Sequence, residues 1–369
     1  MTWLRRRLPD LLELLALTGL AVAQPVLDVF GKSADTFVAH DAGTADIVAF
    51  AAAVTLLPAL ALWGVELAVA AASQRAARWL HLGLVALLVA VIVVEVGKRV
   101  TDVGYKRLSI GAVVLGLAAA ALVAHVSFSR SWLRLLAAAP FAFAALFLFA
   151  TPVADVASPP SEVAEDVAVR QPAPVVMVVF DELPLASLLD GEGKVNRAVF
   201  PNFATLADES NWYRNHTTVA PNTTDAVPAI LTGRYPEGTG SAPVSANYPE
   251  NLFTLLGGTY DLHASEPVTR LCRRSCTTPD DGGGPSALGG LLGDAADVWG
   301  DLAQPKRIMT TVGSSRGLVT DLRAGERFED FVSSLGTSSR PRLDFLHVLL
   351  PHTPFRLLPS GATYEGADP

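Results

Sequence analysis

The stretch Thr223-Thr-Asp-Ala-Val-Pro-Ala-Ile-Leu-Thr-Gly-Arg-Tyr-Pro236 decides how the second half of this 369-residue chain is read. A polar tripeptide leads into an apolar run, and Thr-Gly-Arg-Tyr-Pro stops it. Thr is a good helix N-cap and Gly and Pro are good terminators, so the pattern predicts a short helix starting at Thr223. A hydroxyl at a helix N-terminus lies where the dipole and the free N–H groups favour an anion. That is a suitable address for a nucleophile directed at a phosphate or sulfate ester. The same residues also make an ordinary capped helix.

Working outward, Pro174-Val-Val-Met-Val-Val-Phe-Asp-Glu182 reads as a buried strand ending in two carboxylates. Ligands and metals sit at the carboxyl ends of strands in an open α/β sheet. Phe200-Pro-Asn-Phe-Ala-Thr-Leu-Ala207 predicts a short helix, and Trp212-Tyr-Arg-Asn-His-Thr-Thr-Val-Ala220 a strand leading into Thr223. Thr259–Ala264 predicts a further strand and Leu291–Trp299 a short helix. Asp344-Phe-Leu-His-Val-Leu-Leu350 is another apolar strand, running into Pro351-His-Thr-Pro-Phe355.

In this order the pieces resemble the N-terminal half of the sulfatase and alkaline-phosphatase superfamily, over residues 174–356. In sulfatases the matching helix segment begins with Cys or Ser, continues x-Pro-x-Arg and ends in Leu-Thr-Gly-Arg. Counting back from Leu231-Thr-Gly-Arg234 puts Thr223 at the nucleophile position. Asp225 stands where the Pro belongs and Val227 where the Arg belongs, and Thr223 cannot become the formylglycine that sulfatases make. Thr223 with Pro228 is more similar to the membrane phosphoethanolamine and phosphoglycerol transferases, which use a Thr nucleophile. The resemblance therefore implies phosphoryl chemistry on an alkaline-phosphatase-like α/β domain.

A Thr hydroxyl is a weak nucleophile at neutral pH, and coordination to a divalent cation (Mn, Mg, Ca or Zn) would lower its pKa. Such a cation takes hard oxygens or imidazoles. Asp181 is the first candidate ligand beside Thr223. Glu182 is the second, because many sulfatases carry two successive acids there; it also reads as a solvated loop carboxylate. His352 resembles the substrate-binding His of the family, against the plain reading of a loop His. Asn222 can donate to a substrate oxygen and is also a common turn residue. His216 and His347 are expected within or beside strands, satisfied by hydrogen bonds.

The first half of the chain is different material. Overall the sequence is 50% hydrophobic and 17% charged, with mean hydropathy +0.36, and the apolar excess lies before residue 152. Asp46–Ala72, Trp79–Gly97, Ser109–Ser127 and Trp132–Thr151 are each long enough to cross a bilayer, which needs about 20 residues. Leu11–Phe30 is a weaker fifth span carrying Glu13, Gln24 and Asp28, polar groups that must face other helices or a cavity. A cleaved signal peptide is the alternative for that first segment, disfavoured by its length and by the spans that follow. Arg5-Arg-Arg7 favours a cytoplasmic start, with Arg75, Arg78, Arg130 and Arg134 in loops on the same side. The loop holding Lys98, Arg99, Lys106 and Arg107 breaks that rule. Five spans from a cytoplasmic start put everything after Thr151 in the extracytoplasmic space.

Residues 152–173 are rich in Pro, Ser, Ala and acids and read as a flexible tether. An outside location makes Cys272 and Cys276 a disulfide, since no further ligands stand at metal-site spacing; two free thiols are the alternative if the topology is inverted. Asp280-Asp-Gly-Gly-Gly-Pro285 is a loop and not a phosphate cradle, because no Lys-Ser/Thr follows. A net charge of −8 and a pI near 5.4 argue against a nucleic-acid partner.

The expected organisation is thus a transmembrane helical domain (1–151), a linker (152–173) and an extracytoplasmic partial α/β domain (174–369). The family's second metal pair, Asp-His or Asp-Asn, does not follow His352, so the C-terminal domain is expected to be truncated and inactive as it stands. Three functions fit. The first is a phosphotransferase of the cell membrane acting on a lipid-linked or envelope substrate. The second is a phosphate or sulfate ester hydrolase on the same scaffold. The third is a non-catalytic membrane protein or inactive fragment lacking the metal site.

Overall fold

The computed structural model describes residues 2–158, 167–236, 240–272, 276, 286–306, 324–352, 358 and 362. The loop at 280–285, the middle of the expected linker (159–166) and Thr353-Pro-Phe355 lie outside the described residues. In chain order the elements begin with α1 (Thr2–Thr18), a π-helical turn (Gly19–Ala23), α2 (Gln24–Gly31), α3 (Ala34–Ala39), α4 (Thr44–Ala72) and α5 (Gln74–Val100). Next come α6 (Tyr105–His125), α7 (Ser127–Leu136), α8 (Ala139–Ala150) and α9 (Val153–Ala157). Then follow β1 (Val175–Phe180), α10 (Leu185–Leu188), α11 (Pro201–Glu209), α12 (Thr223–Thr232), α13 (Leu252–Leu256) and β2 (Asp261–Ser265). The last are α14 (Ala287–Ala303), α15 (Ala324–Ser334) and β3 (Arg342–Val348).

Two compact units result. One comprises Met1–Ser158 with Pro285–Gly317, and the other Pro159–Gly284 with Leu318–Pro369. Two boundaries differ from the sequence reading. The tether does not begin at 152, because Val153 and Val156 are buried in α9. The helix at 287–303, assigned by sequence to the C-terminal domain, packs with the first unit.

The first unit holds five helical segments long and apolar enough to cross a membrane: Arg7–Gly31, Thr44–Ala72, Gln74–Val100, Tyr105–His125 and Ser127–Ala150. On α6, Ile110, Val113, Val114, Leu115 and Leu117 all point outward, exposed. An apolar face of that extent needs a hydrocarbon environment to cover it. Inside, the rings of Phe30, Phe37, Phe50 and Phe147 form one aromatic cluster with centroids 4.9–6.1 Å apart. Small residues set the close crossings. A Cβ on Gly116 would lie 2.2 Å from the Ala86 carbonyl oxygen, so α5 and α6 touch backbone to backbone there. Arg130 and Arg134, expected in a loop, lie on α7. Helix resumes at Ser127, directly after α6, and takes in both arginines. Arg130 Nε donates to the Val123 carbonyl at 2.6 Å and satisfies the last turn of α6.

The second unit is built on a parallel sheet in the order β1-β3-β2. β3 is central and is buried from Leu343 to Val348 because both its faces are covered. Leu343 and Phe345 pack with Val227 and Leu231 of α12 and Phe253 of α13. Leu346 and Val348 face the other way, against Ala324 and Phe331 of α15. The expected strand over Trp212–Ala220 is not formed. Residues 211–219 are exposed, with a turn at Arg214-Asn215, so their alternation has no buried face to pack.

Candidate functional site

Parallel strands end on the same side, so the residues leaving β1 meet those leaving β3. Val179 is paired with His347 and Phe180 with Val348. The Asp181 N–H donates to the Val348 carbonyl at 3.0 Å, which pins the first acid against the end of β3. α12 lies over the face carrying Phe345, and strand alternation puts His347 on that same face.

α12 starts at Thr223 as its sequence predicts. Asn222 is its N-cap in extended conformation, but its exposed side chain makes no capping bond, so it leaves the first amides of the helix to another acceptor. Gly233 stops the helix in the left-handed region, at φ 69°, with its N–H on the Ala229 carbonyl. Thr223 Oγ1 donates to Asp181 Oδ1 at 3.1 Å, a bond across 42 residues of sequence. The hydroxyl, the carboxylate and the open end of a helix therefore share one point.

His347 is the residue that sequence reasoning undervalued. It is 1% exposed, and neither ring nitrogen has a hydrogen-bond partner among the described residues. This corrects the expectation of a satisfied strand histidine. Burial pushes its pKa down; the nearby Asp181 carboxylate opposes that shift and His352 adds to it. A neutral imidazole with free nitrogens beside Asp181 is a donor atom for a cation or a hydrogen-bond partner for a ligand. The available signal was parity: His347 has the same alternation as Leu343 and Phe345, which fixes it on the α12 face.

Glu182 takes a different path from Asp181. Its backbone is left-handed at φ 52°, a costly conformation for a residue with a Cβ, and its side chain is exposed. Its carboxylate pairs with His352, Oε1 to Nε2 at 3.3 Å. The structure thus gathers Asp181, Thr223, His347, His352 and Glu182. It leaves His216 out, on the exposed segment, where it is neither in a strand nor buried.

Asp181 and Thr223 offer two adjacent oxygens, and His347 an unpaired nitrogen, which suits a hard or borderline divalent cation. Among the described residues, however, no three His, Cys, Asp or Glu side chains are gathered as a metal-binding set. The fit is to the oxygen pair.

Two features flank this edge of the sheet. Cys272 and Cys276 are joined as a disulfide, with their Cα atoms 6.1 Å apart. Just after β2, Glu266 accepts from the Cys272 and Leu271 N–H groups, at 2.7 and 3.1 Å, and from the Thr269 hydroxyl at 2.7 Å. Burial still raises its pKa, against those three bonds.

The first unit has a polar cluster of its own. His81 Nδ1 lies 2.8 Å from Glu66 Oε1, and His81 Nε2 3.1 Å from Glu13 Oε2. Arg134 donates twice to Glu13 Oε1, at 3.0 and 2.9 Å. Glu13, Glu66 and His81 are all buried. With a carboxylate opposite each nitrogen the imidazole donates from both, and the four groups then sum to zero charge. The sequence singled out Glu13 but passed over Glu66 and His81, two polar residues in otherwise apolar spans. Comparison with known proteins finds no matching family model, no similar curated protein and no similar solved structure.

Proposed function

We propose that this chain is a membrane phosphoryl-transfer enzyme in which Thr223 carries a covalent phosphoryl intermediate taken from a lipid-linked or cell-envelope phosphate ester. The observation that carries this reading is the Thr223–Asp181 hydrogen bond at the open N-terminus of α12. The likeness of Thr223–Arg234 to the nucleophile helix of the phosphoethanolamine and phosphoglycerol transferases supports the same reading. Thr223 Oγ1 attacks phosphorus, the Oγ1–P bond forms, and the bond from phosphorus to the leaving oxygen breaks. The hydroxyl proton passes first to Asp181 Oδ1, its acceptor in the structure, and the leaving alcohol takes up a proton. The first-turn amides of α12 face the non-bridging oxygens. His352, held by Glu182, binds the remaining polar part of the ester. An acceptor alcohol, or water, then attacks phosphorus and gives up its proton; the P–Oγ1 bond breaks, and Thr223 Oγ1 takes up a proton to regain its free form. A divalent cation held by Asp181 and Thr223 would lower the pKa of the hydroxyl and offset charge on the transferred group.

A non-catalytic membrane protein is the second reading. One observation favours it: the described residues bring no three metal-ligating side chains together. Mass spectrometry separates the two. In the natural gene product incubated in its membrane with phospholipid, the peptide containing Thr223 should gain the substrate-derived phosphoryl group. Thr223→Ala should abolish the adduct and Thr224→Ala should retain it. Lipid turnover with no adduct on Thr223 would sink the proposal. We place the catalytic unit outside the cytoplasm on the strength of Arg5-Arg-Arg7 and the Cys272–Cys276 disulfide. A topology reporter fused after Ser161 should be active only there, and cytoplasmic activity would reverse the assignment.

A further inference from the structure

The first unit contains a cavity of about 460 Å³ between the π-helical turn, α4, α5 and α14. Three of its walls are membrane-crossing segments and the fourth is α14. Ala53 of α4, Leu88 of α5, and Ala295 and Ala296 of α14 are among its lining residues. The two polar side chains in its wall are already satisfied. The Thr18 hydroxyl donates to the Leu14 carbonyl at 2.9 Å, and Trp299 Nε1 donates to the Ala21 carbonyl at 2.8 Å. Ala21 lies in the π-helical turn, where the regular ladder is interrupted.

α14 is fixed over this space by contacts in its first half and at its C-terminus, and does not fill it. In its first half, Asp294 pairs with His40 at 2.8 Å, and Gly290, in the first turn, lets the His40 ring lie against the helix backbone; a Cβ there would meet the ring at 2.5 Å. At its far end Lys98 Nζ donates to the Gln304 carbonyl at 2.7 Å and also to the Leu302 carbonyl. A cation at a helix C-terminus is well placed to do this. Between these anchors the helix turns Ala295 and Ala296 toward the cavity, so the gap survives for want of side-chain volume.

We propose that this cavity binds one hydrocarbon chain of a membrane lipid, with α14 as the clamp that holds it against α4 and α5. The occupant follows from the chemistry of the walls. Thr18 and Trp299 leave no unsatisfied side-chain donor in the wall for a polar ligand, and an apolar groove of this size, open at Leu57 and Leu87, forfeits dispersion contacts along its lining unless an apolar group fills it. The volume falls within the range of small-molecule sites. The surroundings supply one abundant apolar solute, the lipid chain. This inference rests on the membrane-crossing segments and not on the chemistry of Thr223, so either can fail without the other.

The test uses the full chain in lipid nanodiscs containing a phospholipid with a photoactivatable diazirine near the end of its acyl chain. Crosslinks should concentrate on the peptides around Ala53 and Ala295, above the level at Leu117 on the outward face of α6. Ala296→Trp should fill the cavity and lower labelling around Ala53 by about tenfold, leaving Leu117 unchanged. Ala53→Phe, which fills the space from the opposite wall, should lower labelling around Ala295 in the same way and guards against misfolding of one variant. Labelling at Ala53 equal to that at Leu117, or unchanged in both folded variants, would mean bulk lipid contact only and would overturn the proposal.

Discussion

The two polar clusters of this protein are opposites. In the membrane-crossing unit, the charges of Glu13, Glu66, His81 and Arg134 close on one another: each His81 nitrogen faces a carboxylate, Arg134 covers the remaining oxygen of Glu13, and within the cluster Glu66 Oε2 is the atom left without a hydrogen-bond partner among the described residues. In the sheet unit, Asp181 and Thr223 share one bond, His347 is buried with neither nitrogen bonded, and the amide end of α12 is not capped by Asn222. Burial of charge is tolerated when partners neutralise it, and costs free energy when they do not. A closed cluster therefore serves as structural glue. An unsaturated one is maintained against that cost by the rest of the fold, which is what the proposed ligand site requires.

That contrast predicts a crossover. On the proposed phosphoryl-transfer reading, Thr223→Ala should lower turnover by on the order of 10⁴-fold or more, because a covalent nucleophile has no substitute. Its stability should change by only about 1 kcal/mol, the worth of one hydrogen bond. His81→Leu should do the reverse. It strands the buried Glu66 carboxylate while Glu13 keeps Arg134, so the cost should be about 3–5 kcal/mol, read as lost thermal resistance in nanodiscs, with the rate per folded molecule unchanged. Adding Glu66→Gln should restore part of the loss by removing the stranded charge. If His81→Leu abolished turnover in fully folded protein, the closed cluster would be part of the function and the contrast would break.

The ease of reading each region from sequence follows the same physics. The membrane-crossing helices were legible because their signal is length and apolarity alone, and the π-helical turn at Gly19–Ala23 did not disturb it. β1, β3 and α12 were legible because their residues point to one backbone state: branched apolar runs for the strands, and Thr223 with Gly233 bracketing the helix. The strand expected over Trp212–Ala220 failed because local preference needs a face to bury, and residues 211–219 are exposed throughout. The Asp181–Thr223 pairing was anticipated only through the spacing of Leu231-Thr-Gly-Arg234. His347 and the Glu66–His81 pair were missed because their roles depend on neighbours 15 to 166 residues away, counting from Glu66 to His81 and from Asp181 to His347. The docking of α14 was invisible for the same reason: Asp294, Trp299 and the helix C-terminus find their partners at His40, Ala21 and Lys98.

The smallest expected effect probes an intermediate case. Among the described residues, Glu266 is neither bonded to a cation like Glu13, although the nearby Arg270 offsets part of its charge, nor left open like His347. Three donors hold it, two of them backbone amides of the loop leading to the disulfide, yet burial lifts its pKa above the ordinary 4.5. The sign follows from proton uptake. Between 4.5 and the raised folded value, the native protein binds more protons than the unfolded chain, so stability falls as pH rises through that window. Above the folded pKa the loss is complete and the curve levels. Glu266→Gln keeps one oxygen acceptor and removes the titration, so its stability should not show that fall. The measurement is hydrogen exchange at the Leu271 and Cys272 amides, corrected for the intrinsic effect of pH on exchange. Wild-type protection should decline with rising pH relative to Glu266→Gln. An increase instead would mean that the three hydrogen bonds outweigh burial, and would move Glu266 into the class of stabilised carboxylates.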